Sequence, residues 1–476
     1  MAFESYLPEH GDRLRRRAAG QPWRHAIQAG LVDQARQHAL SPTGYTSPAQ
    51  AAIDQLKQLN GDRTRQLIAD GERDVDRLLA ELGGWPAVWP RDHRPVISFL
   101  GLNLTWDCDS RPRCRYCNQR PLAGTVSTER WRELIAEAAD SLEGDGPYVY
   151  LTGGEPLMLG EKVYGRDGLV RFATQRRAPV NINTNARAIT PEVALKLVQA
   201  GTARLHLSLD AADSHTQNAL RGGRDAFGDI LAGLWNVQIA RELTAAAHPE
   251  IHLNCVVTRL NMWQFPQLIE FLLSMKRVGQ GHFPAPPDAP LHRDMLPHLI
   301  PVGGEGNRDL RPSADEWARF YTETWAQAGE VWQRHQELLD VPQDRRSDWQ
   351  QFAFFTSPYH RVEHRGTLED YAQNAARGVH WELALRERCY IGAAQAFLLP
   401  DGQQHWCGAH AIQRPAPMGS VHQAGLCDNI RHSIAAIAQY PNEWCVNCAG
   451  ATAFANQAIE GALRTTIEEW IEEANA

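Results

Sequence analysis

The sequence predicts an α/β protein in which a partial barrel of six βα units lies between a helical N-terminal region and a small, cysteine-rich C-terminal domain. Three observations carry that expectation. Short apolar strands alternate with amphipathic helical stretches through the middle of the chain. The segment before them shows helical spacing. Five of the nine cysteines, Cys389, Cys407, Cys427, Cys445 and Cys448, crowd towards the end.

The 476 residues are 43% hydrophobic and 22% charged, which suits a globular chain of about two to four domains. A net charge of −8 gives no electrostatic case for a nucleic-acid or anionic-membrane surface. The first residues lack the apolar core of a signal peptide, and no run approaches the roughly 18 apolar residues that cross a bilayer. The chain therefore reads as cytoplasmic. In a reducing compartment, clustered cysteines point to metal or catalysis instead of disulfides.

Residues 1–95 form the helical region. Ser47-Pro48 resembles an N-cap followed by an N1 proline, Leu67, Ile68, Val75, Leu78, Leu79 and Leu82 return at helical spacing, and Gly83-Gly84-Trp85-Pro86 ends the run. Residues 96–290 form the partial barrel. Strands are expected at 97–104, 148–151, 180–184, 204–209 and 251–257, with a sixth at 281–285, and helical stretches at 129–142, 191–200, 226–243 and 263–275 supply the crossovers. Residues 291–387 are a connection, rich in proline at first. It then turns helical from Ser313, with Trp317, Phe320, Tyr321, Trp325, Val331 and Trp332 as a core-facing stripe. Polar residues near Tyr359, His360, Arg361, His364 and Arg365 read as a solvated loop, with substrate contact as the alternative. Residues 388–476 form the cysteine-rich domain, held by metal more than by core.

Two motifs carry chemistry. Cys108, Cys114 and Cys117 follow the first strand, at the mouth of the barrel. Three thiolates without a fourth nearby leave a metal position open: zinc would need a carboxylate such as Asp107 or Asp109, whereas an iron–sulfur cluster would keep one iron free for a small chelating ligand. The second strand then ends in Gly153-Gly154-Glu155-Pro156, a place for close backbone approach to a ligand with a carboxylate pointing over it.

With these motifs in this order, the chain resembles the radical S-adenosylmethionine superfamily, from about residue 97 to residue 287. In that family a three-cysteine loop binds a [4Fe–4S] cluster and a Gly-Gly-Glu-Pro segment holds the methionine amine. Asn183-Thr184-Asn185 and Leu207-Ser208-Leu209-Asp210 match the ends of the third and fourth strands. The resemblance implies Cys108, Cys114 and Cys117 as cluster ligands, and Gly153, Gly154, Glu155, Asn185, Ser208 and Asp210 around the cofactor. Tyr116 matches a position usually aromatic and near the adenine, with plain packing as the other reading. The family usually has three residues between its first two cysteines and this chain has five, Asp109 to Arg113; Pro112 would stiffen the longer loop. The implied activity is reductive cleavage of S-adenosylmethionine to a 5′-deoxyadenosyl radical that abstracts hydrogen from a substrate, with reduced flavodoxin or ferredoxin as electron donor.

In the C-terminal domain, Pro400-Asp401-Gly402 would fold Cys389 and Cys407 towards one another on a hairpin, and Cys445 and Cys448 form a close pair. Geometry leaves zinc and iron–sulfur open. The set resembles the SPASM extension of radical S-adenosylmethionine enzymes, and more closely its shortened twitch form. That implies one auxiliary [4Fe–4S] cluster on Cys389, Cys407, Cys445 and Cys448, with Cys427 a buried thiol or a substitute ligand. Cys255, near the end of the fifth strand, would border the radical if it faced inward, and is the candidate hydrogen-atom donor; a packed core thiol is its other reading. The substrate is then a small biosynthetic intermediate, oxidised or epimerised, or else a ribosomally made peptide. A non-catalytic, metal-stabilised scaffold is the remaining alternative.

Overall fold

The computed structural model describes residues 47–119, 124–223, 225–280, 296–338, 349, 357–360, 366–379, 388–413, 416–438, 445 and 450–476. α1 (Pro48–Ala69) and α2 (Val75–Leu82) occupy the expected N-terminal span. The strands β1 (Phe99–Asn103), β2 (Tyr148–Thr152), β3 (Val180–Thr184), β4 (Arg204–Ser208), β5 (Glu250–Val257) and β6 (Leu296–Pro301) pair in parallel, each with its neighbour in sequence. The crossovers contain α3 (Thr128–Ala139), α4 (Leu169–Thr174), α5 (Pro191–Ala200), α6 (Ser214–Arg221) and α7 (Ala226–Thr244), and α8 (Phe265–Gln280) follows β5. Local chemistry sets where they start: Ser127, Thr190 and Asp213 each cap a helix through a side-chain oxygen.

Alternation along the strands divides the sheet into two faces. Leu100, Leu102, Val149, Leu151, Ile182, Leu205, Leu207, Ile251 and Leu253 are buried in the main core, each contributing about 1.5–3 kcal/mol. The intervening positions, mostly polar or aromatic, face the concave side. This division places the chemistry.

The sixth strand differs from expectation. It lies at Leu296–Pro301, in the segment read as a proline-rich connection, while 281–285 falls outside the described residues. Pro297 and Pro301 fit because β6 is an edge strand, where a missing N–H can face away from the ladder. The barrel portion thus runs past residue 290.

The C-terminal region is likewise no separate layer. β7 (Gln395–Leu398) pairs in parallel with β1, and β8 (Gln403–His405) and β9 (Gly419–Ser420) extend the same sheet antiparallel, giving the order β6-β5-β4-β3-β2-β1-β7-β8-β9. The turn at Pro400-Asp401-Gly402 is present, with Gly402 at φ +85° and its N–H donating to Leu399 O at 2.9 Å.

α9 (Ala314–Arg319) begins with a capping box between Ser313 and Glu316 and continues through a π-turn, Phe320–Thr324, into α10 (Trp325–Leu338). Trp317, Phe320 and Trp325 are buried, and Phe265 of α8 stacks on Trp325 at 5.1 Å. Tyr359 and His360 join this aromatic core at 4.9 Å from Tyr321 and Trp325 respectively, instead of forming a solvated loop. Arg361, His364 and Arg365 lie outside the described residues. α11 (Leu426–Ile437) packs beside α3, and α12 (Gly450–Asn475) runs back along α1 and α2. Arg464 pairs with Asp76 at 2.7 Å and Arg65 sits 4.2 Å over Trp470.

Candidate active site

The loop after β1 brings Cys108, Cys114 and Cys117 to the C-terminal mouth of the parallel sheet, where ligand sites of such folds are built. Neighbouring loops hold it on every side. Arg187 Nη1 donates to Asp109 O at 2.8 Å, Asn185 Nδ2 to Asp109 Oδ1 at 2.7 Å, and Arg115 N to Leu220 O at 2.9 Å. The Cys114 thiol donates to Arg221 O at 3.3 Å. The five-residue spacer turns at a cis Arg111–Pro112 bond and rests on Gly222, where a Cβ would come within 2.1 Å of Pro112 O.

Asp210 is the anchor of this arrangement. Its buried carboxylate accepts from Arg221 Nε at 2.7 Å and Nη2 at 2.8 Å, from Val256 N at 2.8 Å, and from the Tyr116 hydroxyl. A bidentate, desolvated pair of this kind fixes geometry. Arg221 also lies 5.3 Å over the Tyr116 ring. Tyr116 therefore ties the cysteine loop to β4, α6 and β5, and its burial raises its hydroxyl pKa well above the ordinary value.

Gly153 and Gly154 pack against the loop that follows β1. Gly153 has φ +139°, and a Cβ on Gly154 would lie 2.0 Å from Asp107 O. Gly154 N and Glu155 N donate to Thr105 O and Asp107 O, both at 2.7 Å. The close approach is to the root of the cysteine loop itself. Glu155 departs from expectation, because its carboxylate turns inward. It accepts from Leu157 N at 3.0 Å, Thr184 Oγ1 at 2.7 Å and Asn185 N at 2.8 Å, and is 1% exposed. Burial pushes its pKa up to about 7 against the lowering effect of those bonds. It is a staple between β2 and β3.

At the C-terminal ends of the strands, Asn103, Thr152, Asn183, Ser208 and Asn254 occupy inward positions, a collar of small polar side chains below the mouth. Asn254 donates to Asn183 Oδ1 at 2.9 Å and Asn183 to Thr152 Oγ1 at 3.4 Å. Asn103 Oδ1 is buried without a hydrogen-bond partner. Such a collar suits a ligand carrying ammonium, carboxylate and ribose groups.

The donor set fits an iron–sulfur cluster better than a single ion. Cys114 feels both Cys108 and Cys117 electrostatically, and burial raises its pKa while Arg221 opposes the rise. Three thiolates on one loop leave one metal position open, as three-cysteine ligation of a cubane does.

Cys255 is corrected by the register of β5. Asn254 and Val256 face the concave side, so Cys255 points the other way, into a small cavity lined by Val257, Met262, Phe265, Leu268, Leu299 and Phe320. Its thiol donates to Asp210 O at 3.4 Å, and burial raises its pKa well above the ordinary value. It is a core thiol.

In the C-terminal region Cys389, Cys407 and Cys445 come together, since Cys407 feels both of the others; Cys448 lies outside the described residues. Burial pushes the Cys407 thiol up to about 12 despite the His410 and Ala409 amides, of which His410 N donates to the sulfur at 3.5 Å. Asn456 and the amides of Ile391 and Gly392 face the Cys389 sulfur. Cys427 stands apart, donating to Pro95 O at 3.4 Å, its pKa pushed by burial to about 11.

The residues that sequence reasoning missed are ones that hold others in place: Arg221, Arg187 and Asn261, the last donating to Asp210 O at 2.7 Å. It also missed the inward histidines of β4, β5 and β6. Their signal was a polar residue at every second position of otherwise apolar strands.

Residues 103–272 match the Radical SAM superfamily model. AdoMet-dependent heme synthase of Nitratidesulfovibrio vulgaris is 27% identical over 192 residues, covering 40% of this chain and 47% of that protein. Mycofactocin maturase MftC of Mycobacterium tuberculosis is 29% identical over 226 residues, 47% and 50% of the two chains. The chain thus spans about half the length of these relatives. Among solved structures, Streptococcus suis SuiB bound to precursor peptide SuiA aligns with a TM-score of 0.47 at 15% identity, over 75% of this chain and 71% of that one. The cofactors of this family are a [4Fe–4S] cluster and S-adenosylmethionine. Residues 103–272 of this protein are a radical SAM domain.

Proposed function

We propose that the chain is an enzyme that reductively cleaves S-adenosylmethionine and abstracts hydrogen from a small biosynthetic intermediate, oxidising it. The observation that carries this reading is the placing of Cys108, Cys114 and Cys117 together on one anchored loop above a polar collar. When bound, the cluster and its nucleotide supply the electron and the 5′-deoxyadenosyl radical. The chain's own residues supply position and shelter. Asp210, Arg221 and Tyr116 fix the loop, Gly153 and Gly154 let β2 approach its root, and Asn185 and Ser208 offer polar atoms to the nucleotide. Oxidation is favoured over epimerisation because Cys255, the thiol that would have returned hydrogen, faces the helices.

Cys389, Cys407, Cys445 and Cys448 are proposed to hold one auxiliary [4Fe–4S] cluster in a SPASM/twitch-like fold. With four protein ligands it has no open iron, so it serves electron transfer or support, with reduced flavodoxin or ferredoxin as the external donor. A second reading, maturation of a ribosomal peptide, is favoured by the match to mycofactocin maturase over 47% of the chain.

The test is anaerobic reconstitution followed by incubation with S-adenosylmethionine and dithionite. 5′-Deoxyadenosine should form, and should be absent from the Cys108→Ala, Cys114→Ala and Cys117→Ala variants. No 5′-deoxyadenosine from iron-loaded protein would leave a metal-stabilised scaffold. Candidate small molecules and short peptides, assayed for stimulation of the same product, separate the two substrate readings.

A further inference from the structure

Below the collar, the barrel interior holds a group that the proposed reaction does not use. β4, β5 and β6 each place one histidine on the concave face: His206, His252 and His298. Their ring centroids are 5.2 Å apart for His206–His252, 5.2 Å for His206–His298 and 5.0 Å for His252–His298. One ring nitrogen of each lies within 4.8 Å of the other two. His252 Nδ1 and His298 Nε2 approach to 2.8 Å, a distance at which a single proton is shared. His206 Nε2 is buried and has no hydrogen-bond partner.

Interior positions of parallel barrels are usually filled by branched apolar side chains. Three imidazoles there bring three nitrogen ligands together, and the one left without a partner, His206 Nε2, costs about 1–3 kcal/mol as an orphaned buried nitrogen. A cation on the three nitrogens would satisfy it. The surroundings are those of a built ligand set: Glu250 Oε2 lies 3.8 Å from His252 Nε2, on the side away from His298, and is itself held by Arg204 at 2.7 Å. At that distance the carboxylate acts through its charge, which raises the basicity of a ligating imidazole.

We propose that His206, His252 and His298 bind one divalent first-row transition ion, with zinc as the ion to be tested. At Zn–N distances of about 2.0–2.1 Å, ligating nitrogens stand roughly 3.4 Å apart. Small ring shifts achieve this from the observed spacing. Three protein ligands leave a coordination position for an oxygen or nitrogen of a bound molecule, so the ion is placed to anchor a substrate beneath the collar.

Full-length, anaerobically reconstituted protein is incubated with Zn²⁺, desalted, and its zinc and iron measured. The proposal predicts one zinc per chain more than in a His206→Gln/His298→Gln variant of equal iron content, with a zinc-edge absorption spectrum showing nitrogen or oxygen neighbours near about 2.0 Å. Equal zinc in both proteins, or sulfur neighbours near about 2.3 Å, overturns it. If the double variant fails to load iron, Glu250→Gln replaces it, with zinc affinity expected to fall about 10-fold; unchanged affinity overturns the site. The readout needs no turnover, so it stands or falls separately from the radical chemistry.

Discussion

The two cysteine groups use opposite means to hold sulfur. At the barrel mouth Cys108, Cys114 and Cys117 lie on a partly exposed loop that owes its shape to charged partners, above all the buried Asp210–Arg221 pair. At the far side of β1, Cys389 and Cys407 sit among backbone amides beside a short hairpin. The first arrangement leaves a side open to a ligand and is pinned from outside. In the second, burial raises the Cys389 and Cys407 thiols against the pull of nearby amides. This difference suits one centre that reacts and one that conducts or supports.

The sharpest way to break the comparison is to remove each group in turn. Wild-type protein should hold about eight irons, as two cubanes. Cys108→Ala/Cys114→Ala/Cys117→Ala should fall to about four irons and lose 5′-deoxyadenosine formation to background. Cys389→Ala/Cys407→Ala should also fall to about four but keep that product. Iron assay and chromatography decide between the two, and loss of the product from both variants would deny the division of labour.

Asp210→Asn tests the outside pinning. It leaves Arg221 buried without its counter-charge and should cost about 3 kcal/mol in denaturant unfolding, with cluster loss at the mouth preceding loss elsewhere. Glu155 tests the same loop through pH. Its folded pKa of about 7 lies above the unfolded value of 4.5, so its contribution is complete below pH 4.5 and is lost as pH rises through 7. Wild type should lose up to about 3 kcal/mol across that window, and Glu155→Gln should lack this slope. A parallel fall in both proteins would assign the slope to other groups.

Gly154→Ala should cost about 2 kcal/mol, because its methyl would meet the Asp107 carbonyl, and should weaken cluster retention at the mouth alone. The smallest effect is expected for Cys255→Ala. Stability should drop by about 1 kcal/mol, while 5′-deoxyadenosine formation stays at the wild-type rate. A selective loss of product quenching would instead return Cys255 to the reaction.

Much of this was legible in the sequence because the determinants are local. The alternation of strand and crossover, the Ser313 N-cap and the turn at Pro400-Asp401-Gly402 each lie within a few residues. The spacing of Cys108, Cys114 and Cys117 is local too. What was not legible depends on register and on distant pairing. Cys255 carries two readings in the sequence, hydrogen donor or core thiol, and only the register of β5 chooses between them, because a shift of one residue reverses every side chain. The prolines of β6 looked like a connection, since a strand edge is invisible until its neighbours are known. Glu155 carried a motif but not its direction. Arg221 stands eleven residues after Asp210 with nothing in the intervening chain to announce their pairing. That the terminal helices α1, α2 and α12 share a layer follows from the fold alone.

The central claim is that the Cys108–Cys114–Cys117 loop keeps one iron available to a sulfonium nucleotide. Electron–nuclear double resonance on the reduced protein, with S-adenosylmethionine labelled with ¹⁵N in its amine, tests it directly. A ¹⁵N coupling that disappears in the Cys114→Ala variant is predicted. A cluster signal that S-adenosylmethionine leaves unchanged would contradict the account.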